Sequence, residues 1–456
     1  MRRPERDDPT TDPVRAWEPY EPTAEEPWDL ARVAHLHRRA GFAAPWATLR
    51  RDQADGPSAS IDRLMTGEAA ALDGAPAAEF AATMDSLAAR LGPGAAPARL
   101  QGIWLYRTIF TGHPLRERMT LFWHDHFATS LTKVANPSLM HRQNVLLRQH
   151  ALGDFKTLLT AMHRDPAMLI WLDATANRKA HPNENYAREV MELFALGRGR
   201  YTEKDVQEAA RAFTGAFVVA DRFKEVAAQH DGGEKTLLGR TGAFRADDVA
   251  AILLDQPACA EFLCAKLYRQ LVSEVDEPSP ELVAPLADAL RSADYDISIP
   301  VGTILRSRLF HARSTRRKRV KSPVEYAVGT LRALEVLKPT VGADALAEAC
   351  GRMGQSLYQP PSVAGWDGGP AWINTTTTLA RTNFALGLAN DSDGPLGGRF
   401  NAEALAARHG RGNDAAGFYV DLLVQDAFGD DVRRRVKGAA KEVATLVLTA
   451  PEYQLA

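Results

Sequence analysis

Helix-start signals recur along this chain from Trp28 to its end, and only one stretch interrupts them. Asp29 precedes a run with apolar residues at Leu30, Val33, Ala34 and Leu36, and the pattern stops at Gly41. Ala77 to Leu91 is Ala-rich and ends at Gly92-Pro93-Gly94. Pro97 suits a first helical position, and the helix it opens runs to Thr111 before Gly112-His113-Pro114 breaks it. Pro114 opens the next helix, through Trp123. Thr202-Glu203-Lys204-Asp205 resembles a capping box, Ser322-Pro323-Val324-Glu325 adds proline at the first position, and Ser279-Pro280-Glu281 starts another helix. Pro257, Thr375 and Asp430 lie near further openings.

The interruption is short. Ala216 to Val219, Phe223 to Gln229 and Lys235 to Leu238 read as strands, with Asp231-Gly232-Gly233 as the turn between the last two. The expected fold class is therefore mainly α: a single large helical domain over residues 28–456, with a small β-hairpin insertion at about 216–240. Residues 1–27, rich in Pro, Asp, Glu and Thr, read as a flexible N-terminal arm. No repeat of fixed period suggests a solenoid.

Bulk properties exclude several classes. A formal net charge of -2 creates no global field that favours nucleic acid or an anionic membrane. Three cysteines, with no Cys-x-x-Cys pair, argue against a disulfide framework or a thiolate zinc site. Arg2-Arg3 is followed by no apolar run, and no window approaches the ~20 apolar residues of a membrane span. The expectation is a cytoplasmic chain with no membrane partner. Nucleotide, serine-hydrolase and zincin motifs are missing. The basic run Arg313 to Lys321 has no interleaved aromatics, so it reads as a solvated loop that neutralises an acidic neighbour rather than a nucleic-acid contact.

Two segments concentrate polar chemistry among apolar neighbours: Trp123-His124-Asp125-His126-Phe127, and Asn183 through Phe194. On a helical wheel Tyr186, Ala187, Val190, Met191, Leu193 and Phe194 share an apolar face. Glu184, Arg188 and Glu192 form a polar stripe, with Asn185 and Glu189 beside it. One reading is a solvated face with a Glu184–Arg188 pair worth ~0.3–0.5 kcal/mol. The other makes Glu184 and Glu192 acid, base or metal ligands, with Arg188 orienting them or binding an anion. His124 and His126 diverge by ~200° on a regular helix, so they converge on one ion only if the helix ends there. His126 shares a face with Met119, Phe122 and Trp123 and points inward. Neutral imidazole with carboxylate suits zinc, manganese or iron. His230 sits at the expected hairpin turn, either reaching over a cleft or serving as a surface turn residue. Trp366 and Trp372 lie in or just after a Pro/Gly-rich loop, where they line a groove for sugar or peptide or plug the core beneath it.

These residues carry a resemblance. Arg38-Arg39-Ala40-Gly41-Phe42, Met119 through Phe127, Pro182 through Phe194, Tyr201-Thr202-Glu203, His230-Asp231, Lys321 through Glu325 and the Pro360 to Trp366 loop resemble a large bacterial family known as domain of unknown function 1800. The resemblance extends from about Trp28 to the C-terminus and implies a fold and a motif map without a mechanism. Relatives are often exported and often carry Asn where this chain has Asp125. The functional expectation is an enzyme acting on a polymeric or glycan-like substrate by carboxylate and histidine acid–base chemistry. Glu184, Arg188, Glu192 and His230 are its catalytic candidates. Asn185, Trp366 and Trp372 are substrate-binding candidates, and His124 and His126 are the metal ligands of a metal-assisted version using a divalent cation. The alternative is a non-catalytic helical scaffold or accessory protein that docks a partner protein.

Overall fold

The computed structural model describes residues 12–92, 94–338, 341–389, 396 and 400–456. Its helices begin where local chemistry favours a start. The Asp29 carboxylate accepts from Arg32 N and caps α1 (Leu30–Arg39). Proline opens α2 (Pro97–Phe110) and α3 (Pro114–His126). A short α4 (Asn185–Glu189) passes directly into a π-helix over Val190–Ala195. Reciprocal capping boxes, Thr202 with Asp205 and Ser322 with Glu325, start α5 (Glu203–Ala212) and, after α6 (Pro257–Leu271) and α7 (Pro280–Ser292), α8 (Pro323–Ala333). The last long helices are α9 (Thr375–Ala389) and α10 (Ala440–Thr449). Among the described residues no helix is long and apolar enough to cross a membrane.

Of the expected arm, residues 1–11 lie outside the described residues, as does Pro93 of the expected Gly-Pro-Gly stop. Residues 12–27 are laid against the body. Ala16 is fully buried, Trp17 Nε1 donates to the Leu282 carbonyl (2.8 Å), and Tyr20 N donates to that of Arg306 (2.8 Å).

The strand region holds two hairpins where three strands were expected. β1 (Ala216–Val219) pairs antiparallel with β2 (Arg222–Glu225), and β3 (Lys235–Leu237) with β4 (Arg240–Gly242). Their turns are Ala220-Asp221 and Leu238-Gly239, with both central residues of each at positive φ, the geometry that matches strand twist in two-residue hairpins. Asp231-Gly232-Gly233 is not a hairpin turn. Arg211 Nε holds the Asp231 carboxylate at 2.7 Å, and Asp231 N donates to Thr214 Oγ1 at 2.7 Å. These bonds tie the segment to the end of α5 instead of into a ladder.

Apolar side chains form two cores. One gathers Trp123, Phe127, Phe155, Phe194, Leu253 and Leu267. The other gathers Trp104, Tyr326, Leu331, Tyr358, Phe384 and Val447. Two helices serve both. α1 gives Leu36, and its C-cap Ala40, to the first core and Val33 and Ala34 to the second; α3 gives Leu115, Met119 and Trp123 to the first and Leu121 to the second. They run along the seam between the cores, and that position forces their polar side chains inside.

Candidate functional site

α3 is buried along nearly its whole length, Arg116 being its one exposed residue, so each of its stripes has its own surroundings. Met119, Trp123 and His126 face the first core. Glu117 and His124 face α2, where Trp104 Nε1 donates to Glu117 Oε2 (3.0 Å) and the His124 ring packs edge-on against Trp104 (5.2 Å). Arg118, Leu121, Phe122 and Asp125, at i, i+3, i+4 and i+7, face a cleft of about 430 Å³ in the seam. Opposite them α6 contributes Lys266, Arg269 and Gln270. Glu274, Arg319 and Glu325 line its depth, and Trp366, Asp367 and Trp372 come from the Pro/Gly-rich loop.

That loop is fastened to Asp125. Trp366 N donates to Asp125 Oδ1 at 2.8 Å. The preceding Gly365 has φ +86°, and a Cβ there would stand 2.2 Å from the same oxygen. Only glycine lets the backbone pass this close. His124 supports the loop from behind: Tyr358 N donates to its Nε2 (3.0 Å), and its ring centroid lies 5.7 Å from that of Trp366.

Burial reshapes the ionisable groups. It pushes Asp125 up to about 6, helped by the neighbouring Asp367 and opposed by the Trp366 N–H, Lys266 and Arg319. It pulls Lys266 down to about 8, with Asp125 opposing. Lys266 Nζ lies 3.0 Å from His126 Nδ1, while His126 Nε2 lies 3.1 Å from the Phe194 carbonyl. A carbonyl only accepts, so Nε2 carries the proton and Nδ1 receives the Lys266 bond. Burial and the Lys266 charge hold His126 well below its ordinary range, which keeps the ring in this neutral form. His126 is thus a positioning group for Lys266.

Deeper in the cleft, Glu325 Oε1 is shared by Arg118 Nη1 and by Arg319 Nη1 (3.1 Å), while its Oε2 accepts from Ser322 N (2.6 Å). Arg319 Nε stands 3.5 Å from Glu274 Oε2, and Glu274 Oε1 accepts from Val320 N. Arg39 lies behind, its Nη2 donating to the carbonyls of Val272 (2.7 Å) and Thr315 (3.2 Å). Charged groups with displaced pKa values, collected in a cleft beside aromatic rings, mark the part of this molecule best suited to chemistry. A wider groove of about 500 Å³ at Lys156, Asp255, Asp288 and Arg291 is lined there by exposed, solvated charges.

The family model described as protein of unknown function (DUF1800) matches residues 35–455. The chain belongs to this family. No curated protein and no solved structure matches it.

In this family member the two polar segments do meet, but through the His126 ring and the Phe194 carbonyl rather than through a shared set of side chains. The π-helix, in which Leu196 N and Gly197 N both reach the Met191 carbonyl, ends there. The polar stripe of the second segment faces outward. Arg188 pairs with Glu184 (3.0 Å) and Glu203 (2.7 Å); Glu192 pairs with Arg198 (2.6 Å) and accepts from Tyr201 Oη (2.8 Å). Asn185 Nδ2 donates to the Leu172 carbonyl (3.0 Å). His230 Nδ1 donates to the Thr214 carbonyl (3.0 Å) and lines a separate small pocket with His163 and Tyr186. Trp366 and Trp372 line the seam cleft, Trp366 half-buried and Trp372 buried.

The structure does not bring His124 and His126, the expected metal ligands, to one point. The helix does not end early enough to bring them together, and they lie on opposite flanks of Asp125 with ring nitrogens committed to Tyr358, Phe194 and Lys266. Among the described residues no three His, Cys, Asp or Glu side chains gather around a common point. The basic run is corrected. Arg319 and Lys321 are buried, Lys321 Nζ lies 3.3 Å from the Tyr453 ring centre, and Arg316 and Lys318 pair with Asp426 and Asp276. Only Arg319 has its acidic partners, Glu274 and Glu325, inside; Asp426 and Asp276 are exposed.

Proposed function

We propose that the seam cleft is the active site of an enzyme that hydrolyses a glycan-like substrate by general acid–base chemistry, with Asp125 as base and Lys266 as acid. The observation that carries this reading is a carboxylate lifted to about 6 beside an amine lowered to about 8, at one cleft walled by Trp366. Paired groups drawn towards neutrality from both sides are suited to divide acid and base work.

Near neutral pH Asp125 is the carboxylate and Lys266 the ammonium. Asp125 takes a proton from water as the water oxygen attacks the glycosidic carbon. Lys266 gives a proton to the departing sugar oxygen as the old carbon–oxygen bond breaks. Water and substrate become two sugars, and proton return from Asp125 to Lys266 restores the site. His126 Nδ1 fixes the direction of the ammonium, and Trp366 offers an apolar face against which a sugar ring packs.

The test is release of new reducing ends from a panel of neutral and acidic oligosaccharides. Turnover should rise through about 6 and fall through about 8. Asp125→Asn and Lys266→Met should each lower kcat at least about 100-fold, as expected for loss of a general acid or base. Full activity in Asp125→Asn removes Asp125 as the base, and no turnover by the unaltered protein on any member of the panel returns the chain to the scaffold reading.

A further inference from the structure

The deep part of the cleft holds two buried guanidiniums, Arg118 and Arg319, against two carboxylates, Glu274 and Glu325, and the buried Arg39 guanidinium lies behind them. Nearer the mouth, Lys266 is matched by Asp125, and Arg269 by Glu277. Asp367 is exposed at the rim, where solvent screens it. Counted with Arg39 behind it, the buried cluster is one negative charge short, in surroundings where an uncompensated charge is costly.

The shortfall has a direction. Arg118 is 0% exposed and lines the cleft; its guanidinium lies 5.8 Å from the centre of the Phe42 ring, and its Nη1 pairs with Glu325. Its Nε and Nη2 have no hydrogen-bond partner. Those two N–H groups lie along one edge of the guanidinium plane and point the same way, which is the fork that receives two oxygens of one oxyanion. Arg319, sharing Glu325 with it, adds positive charge beside that edge.

We infer that the cleft recognises a singly charged oxyanion carried by the sugar, through the free Nε/Nη2 edge of Arg118 with Arg319 behind it. The inference rests on the proposed glycan-hydrolysing site and deepens it by naming the substrate class as acidic saccharides. A planar carboxylate, as in a uronic acid, matches the fork with both oxygens in one plane. A sulfate ester offers the same charge with tetrahedral geometry. Either brings the cluster to neutrality, whereas a neutral sugar leaves the edge unpaired.

The experiment is calorimetric titration of the full chain with D-glucuronate, D-glucose 6-sulfate and D-glucose at matched ionic strength, with Tm followed in parallel. Glucuronate should bind at least about tenfold more tightly than glucose, the increment of one charge-assisted hydrogen bond, and should raise Tm by mass action. Sulfate binding as tight as glucuronate supports oxyanion recognition and assigns it to charge rather than planarity. Arg118→Lys keeps the charge and removes the fork, so it should erase the preference for glucuronate over sulfate and shrink, without abolishing, the preference over glucose. If that variant fails to fold, the Tm response of the unaltered protein to the three sugars still decides. Equal binding of glucose and glucuronate, or no binding of either anion, overturns the inference, and reducing-end release from neutral oligosaccharides would then leave the hydrolytic reading standing. Tight glucuronate binding with no turnover of any oligosaccharide sinks hydrolysis and leaves oxyanion recognition intact.

Discussion

Two sets of arginine–glutamate pairs in this molecule have opposite physical characters. Along α4 and the π-helix, Arg188 with Glu184 and Glu203, and Glu192 with Arg198, reach into solvent. In the seam, Arg118, Arg319, Glu325 and Glu274 sit almost wholly out of water. The residue types are the same. Outside, water and salt screen each pair and side-chain entropy opposes holding it in one geometry. Inside, the charges lose hydration, depend on one another and move their neighbours' pKa values, as at Asp125 and Lys266. Chemistry becomes available where the fold prevents water from compensating charge.

The largest difference between the two regions should come from removing one carboxylate from each. Glu325→Ala strips Arg118 and Arg319 of their shared partner and the start of α8 of its capping box. Breaking a buried pair on one side costs about 3–5 kcal/mol, which urea unfolding would register as a lower midpoint. A change below about 1 kcal/mol, the range of exposed pairs, would mean that water reaches these groups freely.

A second contrast is in pH. Burial lifts Asp125 from its ordinary 3.8 to about 6. Between those values the folded protein holds a proton that the unfolded chain has released, so stability falls as pH rises, by up to about 3 kcal/mol. Asparagine has no proton to gain or lose there. Asp125→Asn should therefore gain stability relative to the unaltered protein as pH rises through this window. If the unaltered protein gained on the variant instead, Lys266 and Arg319 would be holding Asp125 as a favoured carboxylate.

The sequence exposed the helical body well because caps and prolines act locally: Asp29, Thr202, Pro280 and Ser322 each start the helix their chemistry favours. It was weaker at the hairpins, whose turns use Ala220-Asp221 and Leu238-Gly239 rather than an Asn-Gly or Asp-Gly pair, while Asp231-Gly232-Gly233 is diverted by Arg211. For the site, periodicity favoured the Glu184–Arg188–Glu192 stripe because it forms one clean polar face, and that cleanliness is what an outward face looks like. Arg118 and Lys266 left a different signature, isolated charges among the buried residues of α3 and α6. Their role depends on α1 and α3 lying between two cores, a relation between distant segments that no local window contains. Arg319 was hidden inside a basic run whose other members suggested solvent.

The smallest expected effect tests the outward face itself. Glu184→Gln removes the i,i+4 partner of Arg188 but leaves Arg188 bonded to Glu203 through both terminal nitrogens. Only the screened pair is lost, about 0.3–0.5 kcal/mol, and raising salt should shrink the difference further. Reducing-end release should not change, since Glu184 and Arg188 stand apart from the seam cleft. A loss comparable with that of Glu325→Ala, insensitive to salt, would require this stripe to be covered by another surface. The division between an exposed face and a buried seam would then have to be drawn elsewhere.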